Sequence, residues 1–379
     1  MEQHRISLAD IVPGKPLQWD VMDQEGHLLL KQGQVVQSRM QIERLIERGL
    51  FVTRNTSNAH TKDVTSTPRV ESISVLRIIN QCAKRLERLL FNVHNETDLP
   101  TKITDIAKVI RYATTVNADV AIATILLNQD ECNYAVRHCI DTAILTAHVG
   151  QKIGKSEDDM ISITAAALTM NLGMLRDQDA MQDNLNPLTD NERKIIYRHP
   201  AESVRLLREA GVSDEHWLEC VLRHHENEDG SGYSSATRGD AILSDAKLLA
   251  LADRYCARVV PRTYRKQMLP NAALRDILLN EKHKVDANLA ALFLRELGIY
   301  PCGTFVRLVN GEVGVVTSKG GGSTMPVVHA LLGPRGAPLA FPIKRDTSGT
   351  LTAIREVLHN DTASVRFNMN QLWGKDAEL

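Results

Sequence analysis

The chain has 379 residues, of which 43% are hydrophobic and 24% are charged, with a formal net charge of −1 and a pI near 6.9. This length exceeds one ordinary hydrophobic core, so two or three domains of a globular protein are expected. The balanced charge argues against binding to nucleic acid or a membrane surface through bulk electrostatics, and we expect no DNA or RNA partner.

The sequence gives no sign of export or membrane insertion. Its apolar runs fall short of the ~20 residues that a membrane-spanning helix needs. The first residues, MEQHRISLAD, lack the apolar core of a signal peptide. The six cysteines do not show the paired spacing of a zinc ribbon or a disulfide framework. We therefore expect a cytoplasmic protein without a membrane segment.

Residues 1–54 are predicted to form a small α/β unit. Apolar runs flank a DQEG turn, which is typical of a hairpin, and the run LFVTR predicts a further strand. Between them, Ser38 begins an amphipathic helix that ends at Gly49. The polar stretch at 55–70 is rich in Thr, Ser and Asn and predicts a linker.

Helical periodicity dominates residues 71–297, where we expect an all-helical bundle of roughly ten helices and no strand. Thr189 and Glu192 form a capping box at the start of one of these helices. Ser213 is expected to cap the helix that follows it.

The pattern becomes β-rich over residues 298–379. TFVRLVNGEVGVVTS places two apolar runs around an Asn-Gly turn, which predicts a hairpin, and PVVHALLGPRGAPLAFPI predicts further strands. TAIREVLH predicts a final helix. The predicted fold class is therefore mainly α: a helical bundle with a small N-terminal α/β unit and a small β-rich C-terminal region.

Adjacent histidines in the stretch RHHENEDGSGYS raise the question of a metal site. His224 and His225 cannot share one helix face, so both reach one ion only where the helix ends. Gly230 and Gly232 permit the tight loop that such an ending needs. Taken alone, the pair is more often a capped surface pair than a pair of ligands.

Three further residues strengthen the question of metal binding. His138 lies in the middle of a predicted helix, Asp253 lies inside an otherwise apolar helical run, and His199 is expected at a helix end before Pro200. Charged groups are rarely buried without a partner. Taken singly, each of these residues is more often hydrogen-bonded in its local packing than bound to a metal.

Together, and in this order, these residues resemble a known family. The motifs YxxxH, LTxxExxxxxxHP, HHExxDGSGY, LxxADxYxA and RxYR are similar to those of the HD-GYP branch of the HD-domain phosphohydrolases, over about residues 130–270. The resemblance implies an all-helical HD domain that hydrolyses cyclic di-GMP with bound metal ions.

The resemblance also implies a set of site residues. Metal ligands are implied at His138, His199, His224, His225 and Asp253. Nucleotide contacts are implied at Arg262, Tyr264 and Arg265, since arginine forms paired hydrogen bonds with phosphates and guanine edges. A solvated basic turn is the equally open reading of those three residues. The loop of Gly230, Gly232 and Tyr233 is implied as a partner surface.

The chain departs from the family at the His-Asp pair that gives the family its name. It has AALTMNLGML where the family has AALLHDIGKI, so Met170 replaces the histidine, Asn171 the aspartate and Met174 a lysine that faces phosphate. A thioether is a poor ligand for Fe, Mn or Mg, and a neutral amide cannot offset the charge of two ions. We therefore identify no catalytic residue at these degenerate positions.

The remaining histidines predict at most one divalent metal ion, either Fe, Mn or Zn. His199, His224 and His225 would hold it, with a carboxylate from Glu226 or Asp229 assisting. Outside the ligands, Cys256 replaces an aspartate and Arg258 takes an apolar position of the family pattern.

Three functions remain open on the sequence. The leading hypothesis is a degenerate HD-GYP-type regulator that binds cyclic di-GMP, a diguanylate cyclase or another signalling protein, with little or no hydrolysis. The alternative is an active metal-dependent cyclic di-GMP phosphodiesterase with an altered metal site. A purely helical protein-interaction module is the third.

Overall fold

The computed structural model divides the chain into two compact units, Met1–Arg69 and Val70–Leu379. The residues that the structure describes are 2–5, 21–22, 28–31, 33–34, 51–54, 74–127, 133–182, 186–261, 267–363 and 365–379.

The first unit contains a four-stranded antiparallel sheet. Its strands are β1 (Glu2–Arg5), β2 (Val21–Met22), β3 (Leu28–Leu30) and β4 (Phe51–Arg54), in the order β1-β4-β2-β3. The pairing of β2 with β3 confirms the predicted hairpin, and β4 confirms the strand predicted at LFVTR. The predicted turn at DQEG and the helix predicted from Ser38 to Gly49 lie outside the described residues.

The second unit begins with the helical bundle that the periodicity predicts. Its helices are α1 (Val75–Phe91), α2 (Leu99–Val116), α3 (Ala118–Leu127), α4 (Tyr134–Ile153), α5 (Glu157–Thr169), α6 (Leu175–Gln182), α7 (Asp190–Glu209), α8 (Glu215–Arg223), α9 (Ser244–Val259), α10 (Pro270–Arg275) and α11 (Ala287–Leu297). Short 3-10 turns at Leu172–Met174 and Gly239–Ala241 and a π turn at Asp276–Asn280 complete this part.

The bundle is centred on α4, whose residues 135–150 are all buried. This helix contacts α1, α2, α5 and α9, so its polar side chains must find partners inside the protein. Apolar side chains such as Leu86, Ile103 and Leu248 are fully buried around it. Each side chain of this size contributes about 1.5–3 kcal/mol of hydrophobic stabilisation when it leaves water.

Two helix boundaries differ from the sequence prediction. The capping box of Thr189 and Glu192 is present at α7, but Asp214, not Ser213, caps α8 through its bond from the Trp217 backbone N–H. More importantly, α7 continues through Pro200, so the prediction that His199 ends a helix is wrong. The proline removes one backbone N–H, and the rest of α7 holds the helix together around that gap.

The second unit ends in a five-stranded antiparallel sheet. The strands are β5 (Phe305–Leu308), β6 (Val313–Ser318), β7 (Val327–Leu332), β8 (Pro338–Asp346) and β9 (Ile354–Leu358), in the order β8-β7-β6-β5-β9. The β5–β6 hairpin is confirmed, with Gly311 at a φ of +89° in its turn. These features confirm the predicted fold class of a helical HD-type bundle with a β-rich C-terminal region.

The helix predicted at TAIREVLH is wrong, because this segment forms β9. Ile354, Val357 and Leu358 have helical spacing, which misled the prediction, but β5 offers an unpaired edge to which they add a strand, with Val306 opposite Val357. The chain ends instead in two short helices, α12 (Asn360–Ala363) and α13 (Asn370–Trp373).

Among the described helices, none taken singly has the length and hydropathy to cross a membrane. The pair α2 and α3 reaches both values only in combination, and it is bent by 109° at its break.

Candidate metal and nucleotide site

Three imidazole side chains meet where α7 passes the end of α8. His199 comes from the middle of α7, His224 caps the C-terminus of α8, and His225 follows it. One ring nitrogen of each histidine lies within 4.8 Å of the others. His199 and His224 are fully buried and His225 is partly buried. The structure thus brings together the three histidines for which the sequence predicts a common ion.

The orientation of His199 follows from the proline beside it. Pro200 has no N–H with which to bond the Ile196 carbonyl four residues earlier. That carbonyl accepts a hydrogen bond from His199 Nδ1 at 2.6 Å instead. Because a carbonyl only accepts, Nδ1 carries the hydrogen and Nε2 presents a lone pair.

His224 is fixed in the same way by the end of α8. The helix stops at Arg223, so the Val221 carbonyl has lost its helical partner. It accepts a hydrogen bond from His224 Nδ1 at 2.7 Å. The Nε2 atom of His224 therefore also presents a lone pair.

The two Nε2 atoms of His199 and His224 lie 3.3 Å apart. Neither carries a hydrogen in the neutral tautomers, so no hydrogen bond joins them. Burial, followed by the charge of His224, lowers the pKa of His199 to about 3, and burial likewise lowers the pKa of His224. Burial and the two neighbouring imidazoles place the pKa of His225 well below its usual value. Three neutral imidazoles therefore converge at neutral pH.

His138 and Asp253 form a buried pair next to these three histidines. His138 Nε2 donates to Asp253 Oδ1 at 2.7 Å, and Asp253 Oδ2 lies 4.0 Å from His225 Nδ1. Burial raises the pKa of Asp253, but the hydrogen bond from His138 and the nearby imidazoles outweigh it and leave the pKa far below its usual value. The carboxylate is ionised and connects His138 to the three histidines. His138 Nδ1 is buried and has no partner among the described residues.

A cavity of about 210 Å³ opens beside these groups. Its described lining consists of Tyr134, His138, Asn171, Met174, Gln178, Met181, Leu188, Ile196, His225, Tyr233, Asp253 and Ala257. That lining contains no lysine or arginine and a single carboxylate. We call this space the histidine cavity.

Two of the three degenerate positions face the histidine cavity. Asn171 and Met174 line it, and the buried Asn171 Oδ1 has no hydrogen-bond partner among the described residues. Met170 is fully buried, but it is not among the lining residues. The amide of Asn171 therefore stands at the cavity wall where the family pattern has a carboxylate.

The turn that carries these positions is clamped against α7. The Gly173 N–H donates to Ser203 Oγ at 2.8 Å, and Ser203 Oγ donates to the Met170 carbonyl at 2.9 Å. A Cβ atom on Gly173 would lie 2.6 Å from the His199 carbonyl oxygen, so only glycine allows this approach. The clamp fixes Asn171 relative to His199.

The loop after His225 is also fixed, and it provides one aromatic wall. Glu226 accepts hydrogen bonds from the backbone N–H groups of Ser235 at 2.7 Å and Thr237 at 3.1 Å. Both of its carboxylate oxygens thus hold the loop, and among the described residues the group of converging ligand atoms contains the three histidines without Glu226. The Tyr233 ring stacks on His225, with the ring centroids 4.6 Å apart. It also meets the ring of Tyr197 edge-on, at a centroid distance of 4.8 Å.

Asp229 and the glycines of this loop have structural tasks. Asp229 Oδ1 accepts from the Ser231 N–H at 2.9 Å within an exposed turn. A Cβ atom on Gly232 would lie 2.5 Å from the His225 carbonyl oxygen, whereas Gly230 has a φ of +78°. Whether the loop contacts a partner stays a prediction.

The remaining residues that the sequence analysis singled out are not placed at the histidine cavity by the described part of the structure. Arg262, Tyr264 and Arg265 lie outside the described residues. Arg258 pairs with Asp276 at 2.9 Å and Glu281 at 2.7 Å, away from the cavity lining.

Tyr134, the tyrosine of the YxxxH motif, stacks on His138 with ring centroids 6.1 Å apart. Their i, i+4 spacing places both residues on one face of α4. Gln178, Met181 and Leu188 of the cavity wall were not singled out from the sequence. No local signal marks them, because Gln178 and Met181 reach the cavity through the packing of α6, and Leu188 through its place just before α7.

Residues 120–289 match the family model of the HD domain. The chain is similar to the cyclic di-GMP phosphodiesterase PdeB of Borreliella burgdorferi, with 24% identity over 48% of this chain and 48% of the relative. A cyclic di-GMP phosphodiesterase of Pseudomonas aeruginosa is 27% identical over 51% of this chain and 46% of its own length. The chain spans about half the length of these curated relatives.

One solved structure shows the same fold. An HDG"Y"P protein of Bdellovibrio bacteriovorus, Bd1817, aligns with a TM-score of 0.50 and 14% identity over 77% of this chain and 98% of that one. These matches confirm the predicted resemblance to the HD-GYP branch.

Proposed function

We propose that this chain, whose residues 120–289 are an HD domain of the HD-GYP type, is a cyclic dinucleotide-binding regulator with one divalent metal ion and little or no hydrolytic activity. His199, His224 and His225 would hold the ion. Cyclic di-GMP is the first ligand to test, because the curated relatives are named for it.

The contact between His199 Nε2 and His224 Nε2 carries the metal proposal. Two lone pairs 3.3 Å apart in a buried site repel each other unless a cation lies between them. A proton is disfavoured there because burial lowers the pKa of both rings. A divalent ion satisfies both nitrogens and His225 together, and three imidazoles are a common donor set for Zn or Fe.

The residues of the cavity wall support the proposal that the chain has little or no hydrolytic activity. Catalysis by two metals depends on a bridging anion and on positive charge near the phosphate. Asn171 supplies no charge at the bridging position, and Met174 supplies no cation. Asp253 is already bonded to His138, which leaves its second oxygen alone facing His225. The described residues thus furnish one well-formed ligand set.

The ion and the wall of the histidine cavity would each contribute to nucleotide binding. When bound, the ion would act as a Lewis acid toward a phosphate oxygen. Tyr233 holds the plane of His225 by stacking, and its ring with that of Tyr197 forms an aromatic edge suited to a base. Met181, Leu188 and Ile196 give the cavity an apolar side for the sugar and base.

An active phosphodiesterase is the second candidate, and one observation favours it. His138 and Asp253 are retained at the same cavity, and the buried acceptors His138 Nδ1 and Asn171 Oδ1 lack partners among the described residues. A second ion bound by these groups would satisfy both acceptors. Metal stoichiometry therefore separates the candidates.

Metal analysis and nucleotide titration of the same preparation test the proposal. We expect one ion per chain, its loss in His224→Ala, and no loss in the control His283→Ala, because His283 is exposed. Cyclic di-GMP should bind the loaded protein and bind at least tenfold more weakly to His224→Ala. Two ions per chain would favour the phosphodiesterase, and no metal with no nucleotide binding would leave an interaction module.

A further inference from the structure

A second cavity, of about 180 Å³, lies at the seam between the helical bundle and the five-stranded sheet. Asp119 of α3, His148 of α4 and Glu296 of α11 line its helical side. Lys319 and Ser323, from the glycine-rich loop after β6, line the opposite side. This seam cavity shares no described lining residue with the histidine cavity.

His148 gives the seam cavity an unsatisfied acceptor. The side chain is 8% exposed, and its Nε2 has no partner among the described residues. The ring also donates a hydrogen bond to the backbone of Glu296. Burial lowers the pKa of His148, so the ring is neutral and Nε2 presents a lone pair. A buried acceptor of this kind destabilises the protein until it meets an N–H or O–H donor.

Two carboxylates stand beside this acceptor. Asp119 Oδ1 accepts a hydrogen bond from the Cys302 thiol at 3.3 Å. The carboxylate also forms a hydrogen bond with the backbone of Lys319, and the two bonds orient it in the seam. Burial raises the pKa of Asp119 despite these bonds. Glu296 contributes the second carboxylate of the lining. The helical side of the cavity is therefore rich in acceptors and suits a group with several N–H donors.

Two lysines of the lining carry the opposite charge. Lys319 Nζ lies 3.7 Å from Glu296 Oε2, and its side chain is 45% exposed. Lys152 also lines the cavity, together with Gly322 and Ser323. Two ammonium groups beside a glycine-rich loop suit an anionic group.

We propose that the seam cavity binds a small molecule with N–H donors at one end and an anionic group at the other. The N–H donors would meet His148 Nε2 and Asp119, and the anionic group would meet Lys152 and Lys319, beside Glu296. Ile122, Leu297 and Tyr300 supply apolar lining. A guanine mononucleotide and a free arginine both have this chemistry, because each joins adjacent N–H donors to an anion.

Calorimetric titration of the full-length, metal-free protein with GMP and, separately, with arginine tests this proposal. We expect one of the two to bind with a Kd of about 1 mM or tighter. His148→Leu and Lys319→Ala should each weaken that binding at least tenfold. Binding of GMP would identify the ligand as a nucleotide, and binding of arginine would identify it as an amino acid.

Matched variants separate the seam cavity from the histidine cavity and from unfolding. His283→Leu and Lys344→Ala change exposed residues of the same types and should leave the affinity unchanged. His224→Ala should also leave it unchanged, so this result is independent of the proposed function. The exposed Lys319 can be replaced without disturbing the core. If neither probe binds, or if His148→Leu and Lys319→Ala both bind like the parent, the proposal is wrong.

Discussion

His199 Nε2 and His224 Nε2 lie 3.3 Å apart with no hydrogen between them. Both tautomers are set by carbonyl groups that the helices leave without partners: Pro200 frees the Ile196 carbonyl, and the end of α8 frees that of Val221. A missing backbone N–H inside α7 and the end of α8 thus set the two tautomers. In metal sites, the ring N–H of a histidine ligand is commonly bonded to a carboxylate or a backbone carbonyl, and here backbone carbonyls accept both Nδ1–H groups.

Replacing Pro200 with alanine tests this origin of the ligand geometry. Alanine restores an N–H that competes for the Ile196 carbonyl, so His199 loses its fixed tautomer. Loss of such an outer partner typically lowers metal affinity about 10–100-fold. We expect that decrease in a competition titration with a metal chelator, while the helical circular dichroism stays unchanged.

Pro100→Ala is the matched control for that experiment. Pro100 lies in the first turn of α2, where a proline removes no helical bond, and it is not among the described lining residues of the histidine cavity. Its replacement should leave metal affinity unchanged. Equal metal affinity in Pro200→Ala and the parent would show that Pro200 does not set the tautomer.

The stability of the metal-free protein should fall in mild acid. Burial lowers the pKa of His199 to about 3 from 6.5, and the pKa values of His224 and His225 are also lowered. Below pH 6.5 the unfolded chain binds protons that the folded chain does not, so stability present above 6.5 is lost as the pH falls toward 3. Each pKa unit corresponds to about 1.4 kcal/mol.

Urea unfolding of the metal-free protein at a series of pH values from about 7.5 down to about 5, a range that spans the usual histidine pKa, measures this effect. The midpoint should fall with pH in the parent and fall less steeply in His199→Phe, which removes one of the titrating groups. A parent midpoint that is flat across this range would contradict neutral buried histidines.

Hydrolysis of cyclic di-GMP should be absent or very slow. The reason is the uncharged Asn171 and Met174 in the histidine cavity. Chromatographic assay of the linear and mononucleotide products, with Mn, Fe or Zn added, provides the measurement. Turnover at ordinary enzyme rates of about 1 s⁻¹ or more would establish the phosphodiesterase instead.

The sequence predicted the helical fold class from local periodicity, and it predicted the meeting of three histidines from the resemblance to the HD-GYP motifs. It failed where long-range pairing decided the outcome. Ile354, Val357 and Leu358 have helical spacing, yet the free edge of β5 makes them a strand. His199 was placed at a helix end because Pro200 follows it, whereas the packing of α7 carries the helix through. Neither the strand β9 nor the continuation of α7 through Pro200 can be predicted from a short stretch of sequence, because contacts with distant residues determine both.

The last prediction concerns repair of the degenerate positions. Met170→His, Asn171→Asp and Met174→Lys together should recreate a second metal position and some phosphodiesterase activity. The clamp of Gly173 and Ser203 holds this turn against α7, so a carboxylate at 171 would enter the histidine cavity near Asp253 and His138.

The buried position of Met170 makes the single and triple variants informative. Met170 is fully buried and does not line the cavity, so its histidine must displace packing to reach an ion. Asn171→Asp alone should therefore add less metal than the triple variant but disturb the fold less. New polar groups there are costly until metal satisfies them, so the triple variant should be more stable with metal than without it. Metal analysis and thermal unfolding of the three proteins measure this, and a folded triple variant that binds no more metal than the parent would show that the turn no longer supports a second ion.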